Sequence, residues 1–211
     1  QSPWYDYIRR GLITSGELKA LVDNDGLMGV TSNPSIFEKA IGGSTDYNQA
    51  LKQIASSVTG IKEIYETLAV RDIQDATDLM YPVYEQSQTR DGYVSFEVSP
   101  DLAYNTQGTI DEAVRLHKAV GRDNVMIKVP ATVEGIPAIE YLLSQGMNVN
   151  VTLLFGVDMY EQVAWAYVSG LEKLAAKKGD IKKSASVASF FISRIDTLVD
   201  SLLDAKLKEA T

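Results

Sequence analysis

The run Asn124-Val-Met-Ile-Lys-Val-Pro-Ala-Thr132 decides how this chain is read. Its alternation sends Val125, Ile127 and Val129 to one face of a strand, and Met126 and Lys128 to the other. Apolar residues on both faces suit a strand buried in a parallel sheet. A lysine in such a strand is costly unless it is paired or neutral. Desolvation lowers a lysine pKa from its ordinary value of about 10.4, and the neutral amine is a nucleophile toward carbonyl carbon. A structural reading competes: the side chain snorkels past the strand end, or pairs with Glu97.

Working outward, the same kind of run recurs at Leu27 to Ser32, Tyr93 to Val98, Met147 to Leu153 and Ala185 to Phe190, with a weaker one at Trp4 to Ile8. Helical patterns lie between them. One opens near Ser15 and stops by Gly26; another opens near Thr106 and stops at Gly121, a C-cap glycine. A third runs from about Val157 to Lys178, with Val163, Ala164, Tyr167, Leu171 and Leu174 on one face. The stretch from Pro34 to about Gln88 has helical spacing and no strand, which predicts several helices inserted after the second strand. Alternating strands and helices imply a parallel sheet covered by helices, either open and doubly wound or a (β/α) barrel. Periodicity does not separate the two, and both place their sites at the C-terminal ends of strands.

Composition narrows the function classes. With 211 residues, 45% of them hydrophobic, the chain is sized for one domain with a substantial core. It has no Cys, which excludes a disulfide framework, a thiolate metal site and a cysteine nucleophile. A net charge of −8 disfavours nucleic acid as the main ligand. No apolar run reaches membrane-spanning length and no signal-peptide pattern opens the chain, so a cytoplasmic protein is expected. The first residue is Gln1 rather than Met, from which removal of upstream residues is expected.

Polar residues gather at the strand runs. Glu97, in Val94-Ser-Phe-Glu-Val-Ser-Pro100, is an acid inside an apolar strand; Asp6 sits among Trp4, Tyr5, Tyr7 and Ile8. Schiff-base chemistry at Lys128 needs several proton transfers, for which two carboxylates are suited. The plainer alternatives are a Glu97–Lys128 salt bridge, and a capping or solvated Asp6. Asn33 ends Gly29-Val-Thr-Ser-Asn-Pro-Ser35, with Pro34 opening a helix. Asn150 and Thr152 share one face of their strand; Ser189 and Arg194 follow in the next run, where an arginine by a helix start suits phosphate. Each could singly be a cap, a turn residue or a surface group. Together, Asn33, Glu97, Lys128, Asn150 and Ser189 occupy five successive strand runs, whose C-terminal ends would converge in a barrel.

Other motifs lead nowhere. Asn150-Val-Thr152 matches a glycosylation sequon but lies in a buried strand, and Asp23-Asn-Asp-Gly26 reads as a turn rather than a calcium loop. His117, the only histidine, lies on a helical pattern and reads as structural; no metal site is expected.

At these motifs the chain resembles the transaldolase family. Gly-Val-Thr-Ser-Asn-Pro-Ser at 29–35, Ile-Lys-Val-Pro-Ala-Thr at 127–132, Asn-Val-Thr-Leu-Leu-Phe at 150–155 and Ser-Phe-Phe-Ile-Ser-Arg-Ile-Asp at 189–196 are similar to its signatures, and Trp-Tyr-Asp-Tyr-Ile at 4–8 to its first strand. The stretch inserted after the second strand, about 34–90, resembles the longer bacterial forms, including those fused to a phosphoglucose isomerase. The resemblance implies an α/β (β/α)8 TIM barrel that uses no cofactor. It implies transfer of a dihydroxyacetone unit between phosphorylated ketose and aldose substrates in the pentose phosphate pathway. By motif, Lys128 would be the Schiff-base nucleophile, Glu97 with Thr152 would hold a proton-relaying water, and Asp6 would serve as acid and base in carbon–carbon cleavage. Asn33, Asn150 and Ser189 would hold the hydroxyls of the dihydroxyacetone unit, Arg194 would bind phosphate, and Phe191 would line the site.

The departure from the family lies in the strand count. Only six strand runs are found, so the expectation is a barrel truncated to about six β/α units, residues 1–211 being one incomplete barrel domain of a larger or fused chain. Six strands leave the first and last unpaired. The chain alone is therefore expected to self-associate, to retain a C-terminal fragment or to rearrange locally, and to be weakly active or inactive. Two further readings stay open: a Schiff-base aldolase that releases a free product, and an inactive barrel serving as an interaction module.

Overall fold

A computed structural model describes residues 1–54, 58 and 60–209. Its strands are β1 (Trp4–Tyr5), β2 (Gly29–Thr31), β3 (Tyr93–Glu97), β4 (Val125–Pro130), β5 (Val149–Leu154) and β6 (Ser186–Phe190). The helices are α1 (Arg10–Thr14), α2 (Glu17–Asp25), α3 (Pro34–Gly43), α4 (Asn48–Ile54), α5 (Ile61–Gln86), α6 (Thr106–Val120), α7 (Gly135–Ser144), α8 (Val157–Ala176) and α9 (Ile192–Glu209). Three helices, α3 to α5, thus occupy the stretch between β2 and β3; residues 55–57 and 59 of that stretch lie outside the described residues.

All five strand pairings are parallel, and the sheet order is β1-β2-β3-β4-β5-β6. This order removes the ambiguity left by periodicity. A doubly wound sheet reverses its order at a switch point, whereas strands laid down in simple sequence are the TIM-barrel arrangement. Sidedness agrees. Val94, Phe96, Val98, Val125, Ile127, Val129, Val149 and Val151 share the main core with residues of the helices, such as Ile73, Leu116 and Leu142. The alternate residues point to the other face, where Tyr93 and Met126 form a small cluster with Trp4 and Val187. One face binds the helix layer, and the other is the barrel interior.

Local chemistry sets the ends of elements. Asn33 caps α3, its side-chain oxygen accepting from Ile36 N at 2.9 Å, and Pro34 fills the first helical position. Asn105 caps α6 in the same way, and Gly121 closes that helix at φ 60°, a conformation glycine adopts without strain.

Three local expectations are corrected. The first strand ends at Tyr5 rather than Ile8, because the chain leaves the sheet there and Ile8 is fully buried in the main core. A helix, α1, precedes the expected one at Ser15; five residues are too few to show a period. On α8 the buried face is Val163, Ala166, Gly170 and Leu174, slightly rotated from the expected stripe. Gly170 is decisive there, since a Cβ at that position would press on Leu143 and on the Glu140 carbonyl of α7. On α9 the apolar residues Leu198, Leu202 and Leu203 are exposed.

The β1–β2 pair depends on another close approach. Trp4 lies opposite Gly29 in register, and its ring occupies the space a Gly29 side chain would fill. Gly29→Ala should therefore displace Trp4 and lower the unfolding free energy by about 1–3 kcal/mol, as overpacking generally does. The urea midpoint measures this; an unchanged midpoint would show that Trp4 does not rest on Gly29.

Candidate active site

Register carries the site. Glu97 pairs with Lys128, Lys128 with Asn150, and Asn150 with Val187, so these residues form one row across four strands. Residues in one row of a parallel sheet that share a face are near neighbours. Here that face is the interior, away from the helices.

Lys128 is 4% exposed. Its Nζ donates to the Ser32 carbonyl at 3.2 Å, reaching across β3 to the end of β2. It lies 3.6 Å from Glu97 Oε2, an ion pair too long for a hydrogen bond. The salt bridge anticipated as a plain alternative is thus present, on the same residues as the chemical reading. Burial pushes the Glu97 carboxyl above the ordinary carboxylate range, attraction to Lys128 pulls it down, and the Asp6 charge pushes it up further. Asp6 is itself exposed, one residue beyond β1.

A second group adjoins the first. Asn150, 1% exposed, donates from Nδ2 to Ser95 Oγ at 2.9 Å and accepts from Ser189 Oγ at 2.8 Å. This chain spans β3, β5 and β6 and fixes which way the amide points. Two residues on, Thr152 is equally buried, and its Oγ1 has no hydrogen-bond partner. Just after it the sheet is irregular. Leu153 has φ 61°, and Val151 and Leu154 on β5 pair with Ala188 and Phe190 on β6, one extra residue on β5. This bulge leaves Thr152 facing the interior while returning Leu154 to the core.

The remaining candidates are placed differently. The Asn33 side-chain oxygen is already committed to capping α3, leaving its NH2 as the group for other contacts. Phe191 packs edge-on against Phe155 at 5.6 Å, and the Arg194 guanidinium lies 4.8 Å over the Phe191 ring, at the exposed start of α9. These two contact each other rather than the Lys128 and Asn150 groups. His117 lies on α6, outside the sheet, where burial lowers its pKa. Among the described residues no group of three or more His, Cys, Asp or Glu side chains is placed to hold a metal ion, and no helix is long and apolar enough to cross a membrane. A mostly apolar cavity of about 730 Å³ beside β3 is lined by Ile41, Tyr65 and Phe96; it meets the site only at Glu97.

Ser95 and the Ser32 carbonyl were not singled out from sequence. Ser95 was findable, since it lies two residues before Glu97 and alternation puts both on one face. The carbonyl carries no sequence signal.

Residues 3–211 match the family described as Transaldolase/Fructose-6-phosphate aldolase. Among curated relatives, the transaldolase of Trichodesmium erythraeum is 52% identical over 211 residues, covering 100% of this chain and 56% of the relative. Transaldolase 2 of Nostoc sp. is 51% identical over 207 residues, 98% of this chain and 54% of the relative. The transaldolase of Thiobacillus denitrificans is 47% identical over 203 residues, 96% and 56%. The chain therefore spans about half the length of the curated relatives it matches.

The Lys128–Glu97 coupling predicts a pH effect. A carboxyl whose pKa is raised on folding binds its proton more tightly in the folded state. Its contribution to stability is lost as pH rises from the ordinary carboxylate range, about 4, through the raised value. Lys128→Met removes the attraction that holds Glu97 down, so the stability penalty of Lys128→Met should grow as pH rises toward neutral. Urea unfolding of both proteins across that range checks this; a penalty constant with pH would mean the two groups are uncoupled.

Proposed function

Because the chain belongs to the transaldolase/fructose-6-phosphate aldolase family, we propose that Lys128 is the nucleophile of a Schiff-base enzyme that transfers a dihydroxyacetone unit between sugar phosphates. The observation that carries the reading is the buried Lys128 amine between Glu97 and Asn150 in one interior row.

The steps follow from the groups present. Lys128 gives its extra proton to Glu97, the freed amine attacks the ketose C2 carbonyl, and loss of water leaves a C2=N bond to Lys128. Protonated, that bond draws in the electron pair of C3–C4 as it breaks, while Asp6 takes the proton of the C4 hydroxyl and an aldose leaves. The resulting enamine adds through C3 to the aldehyde carbon of an acceptor, Asp6 returns the proton, and water releases the new ketose. The electron sink is the imine itself, so the sequence of steps calls for no cofactor. Glu97 and Thr152 hold the water that carries protons during imine formation and hydrolysis. Asn33, Asn150 and Ser189 take the hydroxyls of the dihydroxyacetone unit; the existing Ser189–Asn150 hydrogen bond supports a paired role for those two. Arg194 receives phosphate, with Phe191 beside it. The donors in this reading are sedoheptulose 7-phosphate or fructose 6-phosphate, and the acceptors glyceraldehyde 3-phosphate or erythrose 4-phosphate. The setting is the pentose phosphate pathway in the cytoplasm.

The family description also names an aldolase, which hydrolyses or releases after cleavage rather than transferring. Fructose 6-phosphate with and without erythrose 4-phosphate separates the two. Consumption that requires the acceptor supports transfer; consumption at the same rate without it supports the aldolase.

Asp6 and Glu97 should fail differently in the full-length protein. Asp6→Ala should slow carbon–carbon cleavage by about a hundredfold to ten-thousandfold while imine formation persists, and Glu97→Ala should slow imine formation and release. Single-turnover trapping of both variants reads the steps separately, and identical defects would refute the division of labour.

A further inference from the structure

Asp6 is exposed and follows β1, whose two residues pair with β2. Its first anchor is this pairing together with Ile8, which is fully buried in the main core. Proton transfer needs the carboxylate held to a fraction of an ångström.

A second anchor lies four residues on. The first turn of α1 has backbone N–H groups without acceptors in the helix. Arg10 N donates to Tyr47 Oη at 3.1 Å, and Gly11 N donates to Asp46 Oδ2 at 2.9 Å. Tyr47 Oη donates onward to Asp72 Oδ2 at 2.7 Å. Arg10 donates from Nε to Asp72 Oδ1 at 2.8 Å, its second nitrogen lies 2.7 Å from the same oxygen, and its guanidinium lies 4.7 Å over the Tyr47 ring. Tyr47 and Asp72 are both fully buried. Burial pushes the Asp72 carboxyl up, while Tyr47 and Arg10 pull it down. Breaking such a buried ionic network costs several kcal/mol, so it holds one geometry.

All three partners of α1 come from the helices between β2 and β3: Asp46 and Tyr47 from the turn joining α3 to α4, and Asp72 from α5. No step of the proposed reaction uses them. We propose that Asp46, Tyr47 and Asp72 are positioning residues for Asp6. They pin the start of α1, β2 pins Tyr5, and the intervening segment holds the carboxylate toward Glu97 and Lys128. The inference rests on Asp6 being the acid–base group of the proposed reaction.

Tyr47→Phe in the full-length protein tests it, because the ring and its stacking on Arg10 stay while the hydroxyl that joins Arg10 N to Asp72 is lost. The expected result is turnover of fructose 6-phosphate with erythrose 4-phosphate reduced about tenfold or more. Borohydride trapping of the ketose on Lys128 should stay near the wild-type level, since that step does not need Asp6. The double variant Asp6→Ala/Tyr47→Phe should be no slower than Asp6→Ala alone, as coupled positions behave. Asp46→Ala, at a partly exposed position, should show the same pattern more weakly, and carries the comparison if Tyr47→Phe does not fold. Independent, additive losses would overturn the proposal, as would trapping that falls in step with turnover, the mark of general disruption. Full turnover in Tyr47→Phe beside a slow Asp6→Ala would sink the positioning role alone. Full turnover in Asp6→Ala would sink the role assigned to Asp6 and the positioning role with it.

Discussion

The structure depends on holding an amine inside a strand that is buried on both faces. An uncompensated charge there would cost several kcal/mol. The sheet meets that cost through register, setting Glu97 on one side of Lys128 and Asn150 on the other. The register is in turn set by the opposite face, where Val94, Phe96, Ile127 and Val151 lock into the helix layer. A slip of one residue would turn Lys128 into that layer and Ile127 into the interior. Apolar packing on the outside therefore decides which polar groups meet on the inside.

The interior is graded along the strands. At the N-terminal ends Trp4, Tyr93 and Met126 fill it with apolar bulk. A hydrogen-bonded chain starts at Ser95, level with Met126, passes through Asn150 in the row of Lys128 and Glu97, and ends at Ser189 one step farther on. The apolar floor keeps the amine dry and the polar layer gives it orientation. The bulge at Leu153 extends that layer by one hydroxyl, at Thr152, and a residue in the left-handed region is strain of the sort that persists at functional sites.

Much of this was legible in the sequence, and the parts that were not share a physical reason. Two-residue alternation in 124–132 and 93–98 separates the faces, so the company of Lys128 and Glu97 follows once the strands are recognised as parallel neighbours. Sheet order was not legible, because helix-covered strands look alike in open and closed folds. The end of β1 leaves no mark in the sequence, because Ile8 is apolar for the sake of the core rather than the sheet. The link from Arg10 to Tyr47 and Asp72 joins positions 37 and 62 residues apart, and no local pattern encodes it. The role of Gly170 is hidden in the sequence, because close helix packing is signalled by a missing side chain.

The claim on which the rest turns is that the buried Lys128 amine bonds to a ketose. Reducing the protein with borohydride in the presence of fructose 6-phosphate, then mapping its peptides by mass, tests it directly. A single adduct on the peptide that carries Lys128 is the result this account predicts. An adduct on a surface lysine such as Lys19 or Lys173, with Lys128 unmodified, would contradict it.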